Sequence, residues 1–210
     1  MGQVLVVTPV IGRPTCRSCH LHANICVCAE CAPVANTTPI TVIQHPSEFG
    51  HSKGTVRILE QCLAQVRVVV GETPGQLQRG GLELPDSGAA MLFPGPGSKP
   101  LEQADLQGIR HWVVVDGTWR KAAKILHLNP NLSTLPQYHF AEPPQSRYVI
   151  RKAPADHHLS TAEAAAHLLR IVEPTLDVTP VDTAMVALVD RLLAQIPAHL
   201  RNRYPGSEPN

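Results

Sequence analysis

Net charge is almost absent from this 210-residue sequence, in which 18 basic side chains face 17 acidic ones and leave a formal value of +1. So weak a field excludes attraction of nucleic acid by the whole molecule, and any RNA must be met by local basic patches. The 11 histidines add little, because histidine is near neutral at cytoplasmic pH. No apolar run approaches the ~20 residues of a membrane span, so no membrane partner is expected. The apolar stretch 4–11 has no basic residue before it and is broken by Pro9, which is wrong for a secretory signal. The expected compartment is the cytoplasm. Also missing are a Gly-x-Gly-x-x-Gly after the first expected strand, a Walker loop and any internal repeat.

What is present is a globular composition, 43% hydrophobic and 17% charged, long enough for one domain with a proper core and a small appendage. Five of the six cysteines lie between Cys16 and Cys31. Without an export signal, that clustering favours metal over disulfides. Residues 13–36, bounded by Pro14 and Pro33, read as a knuckle built from loops and stabilised by ligation. Two tetrads fit the spacing: Cys16, Cys19, Cys26 and Cys28, or Cys16, Cys19, Cys28 and Cys31. Four thiolates close a structural zinc site, and they also suit an iron–sulfur cluster. Cys62 falls on a helix's apolar face and reads as an ordinary buried thiol.

Beyond the knuckle, strand and helix patterns alternate. Strands are expected over 39–45, 67–70, 89–93 and 111–115, the last rich in β-branched residues as a buried parallel strand should be. A helix is expected over 55–66, with Val56, Leu59, Cys62, Leu63 and Val66 inward. Thr118 can cap a helix to about His127 that turns Trp119, Ala122, Ala123 and Leu126 inward and Arg120, Lys121 and Lys124 outward. A short edge or final strand is expected over 147–151, then a helix opened by the capping box Ser160-x-x-Glu163. The last helix opens at Thr179-Pro180 and buries Met185, Leu188, Val189, Leu192 and Ile196. The class is α/β with a mostly parallel sheet, which binds ligands where loops leave the carboxyl ends of strands. Three parts are expected: the knuckle at 13–36, the main domain at 37–200 and a disordered tail at 201–210.

Asp116 directly follows an apolar strand and precedes a helix. Its carboxylate either projects into the crevice above the sheet as a base or simply turns the chain and caps the helix. Local spacing does not separate the two readings. Trp119 is by position a core residue or the wall of a pocket. Ser160 and Glu163 need only be a cap, although amides at that helix start can hold a ligand carboxylate. Lys53-Gly54-Thr55 opens a second helix start of that kind, and the loop Pro94-Gly95-Pro96-Gly97 lets backbone approach a ligand.

Six segments occur together in order: Cys16-x2-Cys19 with Cys26-x-Cys28, His45-Pro46-x-Glu48, Phe93-Pro94-Gly95, Asp116-Gly117-Thr118-Trp119, Ser146-Arg147-Tyr148 and Leu159-Ser160-Thr161-x-Glu163-Ala164. In this the sequence resembles the DTW-domain family of tRNA-uridine aminocarboxypropyltransferases over residues 16–172. The resemblance implies a SPOUT-like fold with a C-terminal trefoil knot, and it favours Cys26 and Cys28 over Cys31 as ligands. It implies transfer of the 3-amino-3-carboxypropyl group of S-adenosylmethionine to the imino nitrogen of a tRNA uridine, releasing methylthioadenosine. Catalysis would centre on Asp116, Thr118 and Trp119. The cofactor would be held by Phe93, Pro94, Gly95, Asp116, Leu159, Ser160, Thr161 and Glu163. Gly54 departs from the family, which has asparagine there before the equivalent of Thr55.

The sulfonium already supplies a leaving group, so the poor nucleophilicity of neutral uracil is the chemical difficulty. Asp116 is expected to remove the imino proton, directly or through water, or else to orient the cofactor's ammonium. RNA would meet Arg120, Lys121 and Lys124, then Arg147, Arg151 and Lys152, with Arg13 and Arg17 on the knuckle. DNA is not an expected partner. The rival readings are a methyltransferase acting on RNA with the same cofactor and a zinc-stabilised RNA-binding module without catalysis.

Overall fold

A computed structural model describes residues 14–150 and 159–201. In chain order the regular elements are β1 (Ile40–Gln44), α1 (Val56–Cys62), β2 (Val66–Val70), α2 (Pro74–Arg79), β3 (Ala89–Leu92), β4 (Lys99–Pro100), β5 (His111–Asp116), α3 (Trp119–Leu128), α4 (Pro130–Ser133), β6 (Gln137–His139), α5 (Thr161–Val172) and α6 (Thr179–Ala194). A last helical turn spans Ala198–Arg201. The six strands form one sheet in the order β2-β1-β5-β3-β6-β4, and every pairing in it is parallel. The late strand β5 inserts between β1 and β3, and β6 between β3 and β4.

Side-chain alternation along the strands divides the core into two layers. Ile40, Val42, Ala90, Leu92, Trp112 and Val114 bury one face against α1, α5 and α6. Ile43, Val69, Met91 and Val113 bury the other against Leu77 of α2, Ile125 and Leu126 of α3 and Leu132 of α4. Covering both faces is what allows the strands to read as nearly continuous apolar runs. Trp112 is fully buried, with its ring 5.4 Å from that of Tyr138. The knuckle joins the first layer through Leu21, Ile25 and Val27.

The α/β class with a parallel sheet is as the sequence predicts, and several details differ. The first helix ends at Cys62, because the chain must turn to enter β2, and Val66 begins that strand. On α3 the inward residues are Ala122, Ile125 and Leu126, whereas Trp119 and Ala123 face water. Residues 147–150 form no strand, since the segment is held by side chains of α5 instead of a ladder. Ile196 lies past the end of α6 and is only half-buried. Strands β4 and β6 and helices α2 and α4 were not expected. Arg13, Arg151, Lys152 and most of the tail lie outside the described residues.

Candidate active site and metal centre

Parallel pairing brings the last residues of β1 and β5 side by side, with Gln44 opposite Asp116. Gln44 Nε2 donates to Asp116 Oδ2 at 2.9 Å. Thr161, the first residue of α5, donates its hydroxyl to Asp116 Oδ1 at 2.5 Å. The carboxylate is 7% exposed and oriented at both oxygens. A carboxylate has about four acceptor positions, so among the described residues two remain open. After it the chain makes a tight turn in which a Cβ on Gly117 would lie 3.2 Å from Lys121 Cβ and 3.5 Å from His45 Cβ. Thr118 then caps α3, its hydroxyl accepting from the Lys121 amide at 3.4 Å. Trp119 stands 45% exposed at the rim, its ring centroid 5.7 Å from that of Phe93 in the loop after β3. Pro94 and Gly95 follow in that loop.

The start of α5 is a true capping box: Ser160 Oγ accepts from the Glu163 amide, and Glu163 Oε2 accepts from the Ser160 amide at 2.7 Å. Glu163 has more to do. It also accepts from the Arg147 amide at 2.7 Å and from the Ser146 hydroxyl at 3.0 Å, clamping the Ser146-Arg147-Tyr148 segment to the helix. The Ala162 amide is taken by Thr55 Oγ1 at 3.2 Å. Of the first three amides of α5, that leaves the one on Thr161 for a ligand among the described residues. Leu159 precedes the cap and is half-buried. Tyr148 donates its hydroxyl to the Lys53 carbonyl, so the start of α1 joins the same assembly.

Beside Asp116, a shallow pocket of about 280 Å³ is lined by His45, Glu72, Thr118, Arg120, Lys121 and Lys124. Its cations are partly neutralised. Lys121 pairs with buried Glu48 at 2.7 Å, and Lys124 pairs with Glu72 at 3.0 Å. Lys124 and then His45, whose Nε2 lies 3.0 Å from Glu72 Oε1, hold the Glu72 carboxyl below the usual range. Arg120 and Arg147 are exposed. The sequence reading passed over Gln44 and Glu72. Gln44 immediately precedes the His45-Pro46 segment and could have been found there, whereas Glu72 carries no local signal.

In the knuckle, Sγ atoms of Cys16, Cys19, Cys26 and Cys28 all lie within 4.8 Å of one another. Cys16–Cys28 and Cys19–Cys26 are each 3.7 Å apart. Tetrahedral ligation with ~2.3 Å bonds requires sulfurs about 3.8 Å apart, so the tetrad suits one ion. Its loop is shaped by the Cys16 amide donating to the Leu21 carbonyl at 2.7 Å and by His20 at φ 57°. Amides of Cys19 and Ser18, in that order, lower the Cys16 thiol to about 6, which favours the thiolate a metal requires. Burial raises Cys19 and Cys28. Cys31 stands outside the tetrad and interacts with Cys62, which pushes the Cys31 thiol up.

These features define an α/β protein with a parallel sheet, a candidate ligand site at the carboxyl ends of its strands and a cysteine cluster that could hold a metal ion. A DTW domain model matches residues 13–196, and the chain belongs to the DTW-domain family. It is 32% identical over 178 residues to tRNA-uridine aminocarboxypropyltransferase 2 of Macaca fascicularis, covering 80% of this chain and 60% of that one. Against the Mus musculus protein of the same name it is 32% identical over 170 residues, with 77% and 57% covered. The Drosophila melanogaster protein of that name is 31% identical over 169 residues, with 77% and 67% covered. The chain therefore spans about three-fifths of the length of the first two relatives. No solved structure matches it.

Proposed function

We propose that this protein is a tRNA-uridine aminocarboxypropyltransferase, moving the 3-amino-3-carboxypropyl group of S-adenosylmethionine to a uridine imino nitrogen and leaving methylthioadenosine. The observation that carries the reading is the joining of two distant family segments at one carboxylate, where Thr161 of α5 hydrogen-bonds Asp116 of β5. Family membership and the names of the three relatives support it.

The residues suit the donor's chemistry. Asp116 offers acceptor positions, the tilted Phe93–Trp119 pair offers an aromatic surface for adenine, and the Thr161 amide with the Ser160 hydroxyl suits a carboxylate. When bound, S-adenosylmethionine supplies an electrophilic γ-carbon next to a sulfonium leaving group. Asp116 would take the imino proton, directly or through water, leaving the uridine nitrogen competent to displace sulfur from that carbon. Gln44 and Thr161 fix the carboxylate for this, and positioning offsets its weak basicity. Leu159, Pro94 and Gly95 complete the cofactor contacts. Glu163 acts through the clamp it forms. Arg120, Lys121, Lys124 and Arg147 meet RNA phosphates, joined by Arg151 and Lys152.

The tetrad Cys16, Cys19, Cys26 and Cys28 holds structural zinc in this reading, since its close spacing suits a single ion more than a multi-iron cluster. The knuckle is the unit 13–36 and the catalytic domain 37–200, SPOUT-like with a C-terminal knot. Support for that topology comes from the insertion of β5 and β6 among earlier strands and the return of α5 to Asp116. Among the described residues no helix is long and apolar enough to cross a membrane. A cytoplasmic enzyme with tRNA as its partner fits the reading.

The test is incubation with tRNA and S-adenosylmethionine labelled separately in the methyl and carboxyl groups. Carboxyl label alone in RNA is expected; methyl label alone would mean methyl transfer, and no label a binding module. Asp116→Asn should keep fold and metal but lower kcat about 10²- to 10⁴-fold. Full activity in that variant would remove Asp116 from the mechanism.

A further inference from the structure

Two large apolar side chains stand exposed among the described residues, Trp119 and Phe49, the latter 64% exposed. Trp119 belongs to the site above. Phe49 has no role there. It sits in the run of turns leaving β1, where its amide donates to the Pro46 carbonyl at 3.3 Å and the His51 amide donates to the Glu48 carbonyl at 3.1 Å. Glu48 is the ion partner of Lys121 on the pocket wall, and Phe49 directly follows Glu48 in the chain. Next to it Gly50, at φ 79°, faces open space.

The ring is supported from one side. The Arg57 guanidinium lies 5.6 Å from its centroid, and Arg57 Nη1 donates to the Cys19 carbonyl at 2.6 Å. Cys19 belongs to the thiolate tetrad, so the cation beneath the ring is anchored to the metal knuckle. An unpaired nucleobase needs such a combination: an aromatic surface on which to stack and positive charge for the adjoining phosphate. A protein-docking patch needs contiguous apolar area, yet the sequence neighbours of Phe49 are Glu48, Gly50, His51, Ser52 and Lys53.

We infer that Phe49 is a stacking residue for an unpaired base neighbouring the one held at Asp116, and that Arg57 is the positioning residue linking this shelf to the knuckle. The inference rests on the tRNA reading above and gives the RNA a path from the pocket over Phe49 toward exposed Arg17.

Unmodified tRNA transcript and the full chain provide the test. Phe49→Ala should weaken tRNA binding, followed by fluorescence anisotropy, about tenfold. Phe49→Tyr should restore it and Phe49→Leu should not, because stacking needs a π face. Affinity for S-adenosylmethionine, kcat at saturating tRNA and the salt dependence of binding should stay at wild-type values in Phe49→Ala. Arg17→Ala should instead reduce the salt slope. Arg57→Ala should lower tRNA affinity while metal content is retained. Wild-type tRNA affinity in Phe49→Ala, or equal affinity in the Leu and Tyr variants, overturns the proposal. If the wild-type protein transfers nothing from S-adenosylmethionine while its tRNA affinity still follows the ring, the catalytic reading fails and the stacking role stands. If transfer is intact while tRNA affinity does not depend on the ring, the stacking role fails alone.

Discussion

At the scale of single residues, the hydroxyl of Thr161 is the connection on which the proposed chemistry turns. It is the first residue of α5, yet its side chain is aimed at Asp116 on another element, 2.5 Å from Oδ1. The cap itself is Ser160, so Thr161 is free for that task. Thr161→Val keeps the shape and β-branching but leaves Asp116 Oδ1 without its donor. We expect kcat for the proposed aminocarboxypropyl transfer to fall about 10- to 100-fold, as misplacement of a reacting group does. Thr161→Ser should recover most of the rate, and KM for tRNA should hold in both. A fall in thermal stability with no change in kcat would make Thr161 merely structural. Asp116 itself marks the limit of local reading, because a cap and a base look the same after an apolar strand. The cap is Thr118, and the Asp116 carboxylate is instead held by Gln44 and Thr161, 72 and 45 residues away.

At the scale of elements, the legible parts were those whose signals lie within a few residues. Thr118 and the Ser160–Glu163 box cap their helices in the places their spacing predicts, since a cap is local chemistry. Strands β4 and β6 are two and three residues long, too short for periodicity, and exist only because distant backbones pair with them. On α3, Ala122 and Leu126 face inward as their spacing predicts, whereas Trp119, apolar enough to look inward, stands exposed and Ile125 supplies the remaining buried anchor. Glu173 shows a further element contact without local signal. Just past α5, it accepts from the Thr38 amide at 2.6 Å and from the Thr37 amide at 3.0 Å, tying that helix end to the approach to β1. Burial raises its pKa, but these amides outweigh the burial and the net shift is downward. A lowered folded pKa gives stability that is present above the unfolded value of 4.5 and lost as pH falls through the folded one. Glu173→Gln should therefore melt below wild type at about pH 7 and converge with it near pH 3. A gap in Tm that is constant across that range would mean that the carboxylate's charge is not what holds the two elements together.

At the scale of the whole molecule, the knuckle and the sheet are mechanically one body. Leu21, Ile25 and Val27 lie in the same apolar cluster as Leu59 of α1 and Met185 and Leu188 of α6. Polar contacts reinforce this from three places: Ser18 donates to Gln61 at 2.7 Å, Arg57 holds the Cys19 carbonyl, and Arg191 of α6 pairs with Glu30. The cysteine spacing pointed to a tetrad that could hold a metal but not to this docking, which depends on apolar residues between the cysteines. In the zinc reading ligation adds to the knuckle's order, and α1 carries both Arg57 and, just before it, Thr55 bonded to α5. Removing the metal should thus reach the active-site end of the sheet. Stripping the protein with a chelator, or replacing Cys19 by Ser, should lower Tm in one cooperative transition by roughly 5 °C or more, because each kcal/mol shifts Tm by about 2–4 °C in a chain of this size. Calorimetry with a colorimetric count of released metal checks both quantities on one sample. Complete metal release with an unchanged main transition would show that the knuckle is carried by the sheet without supporting it.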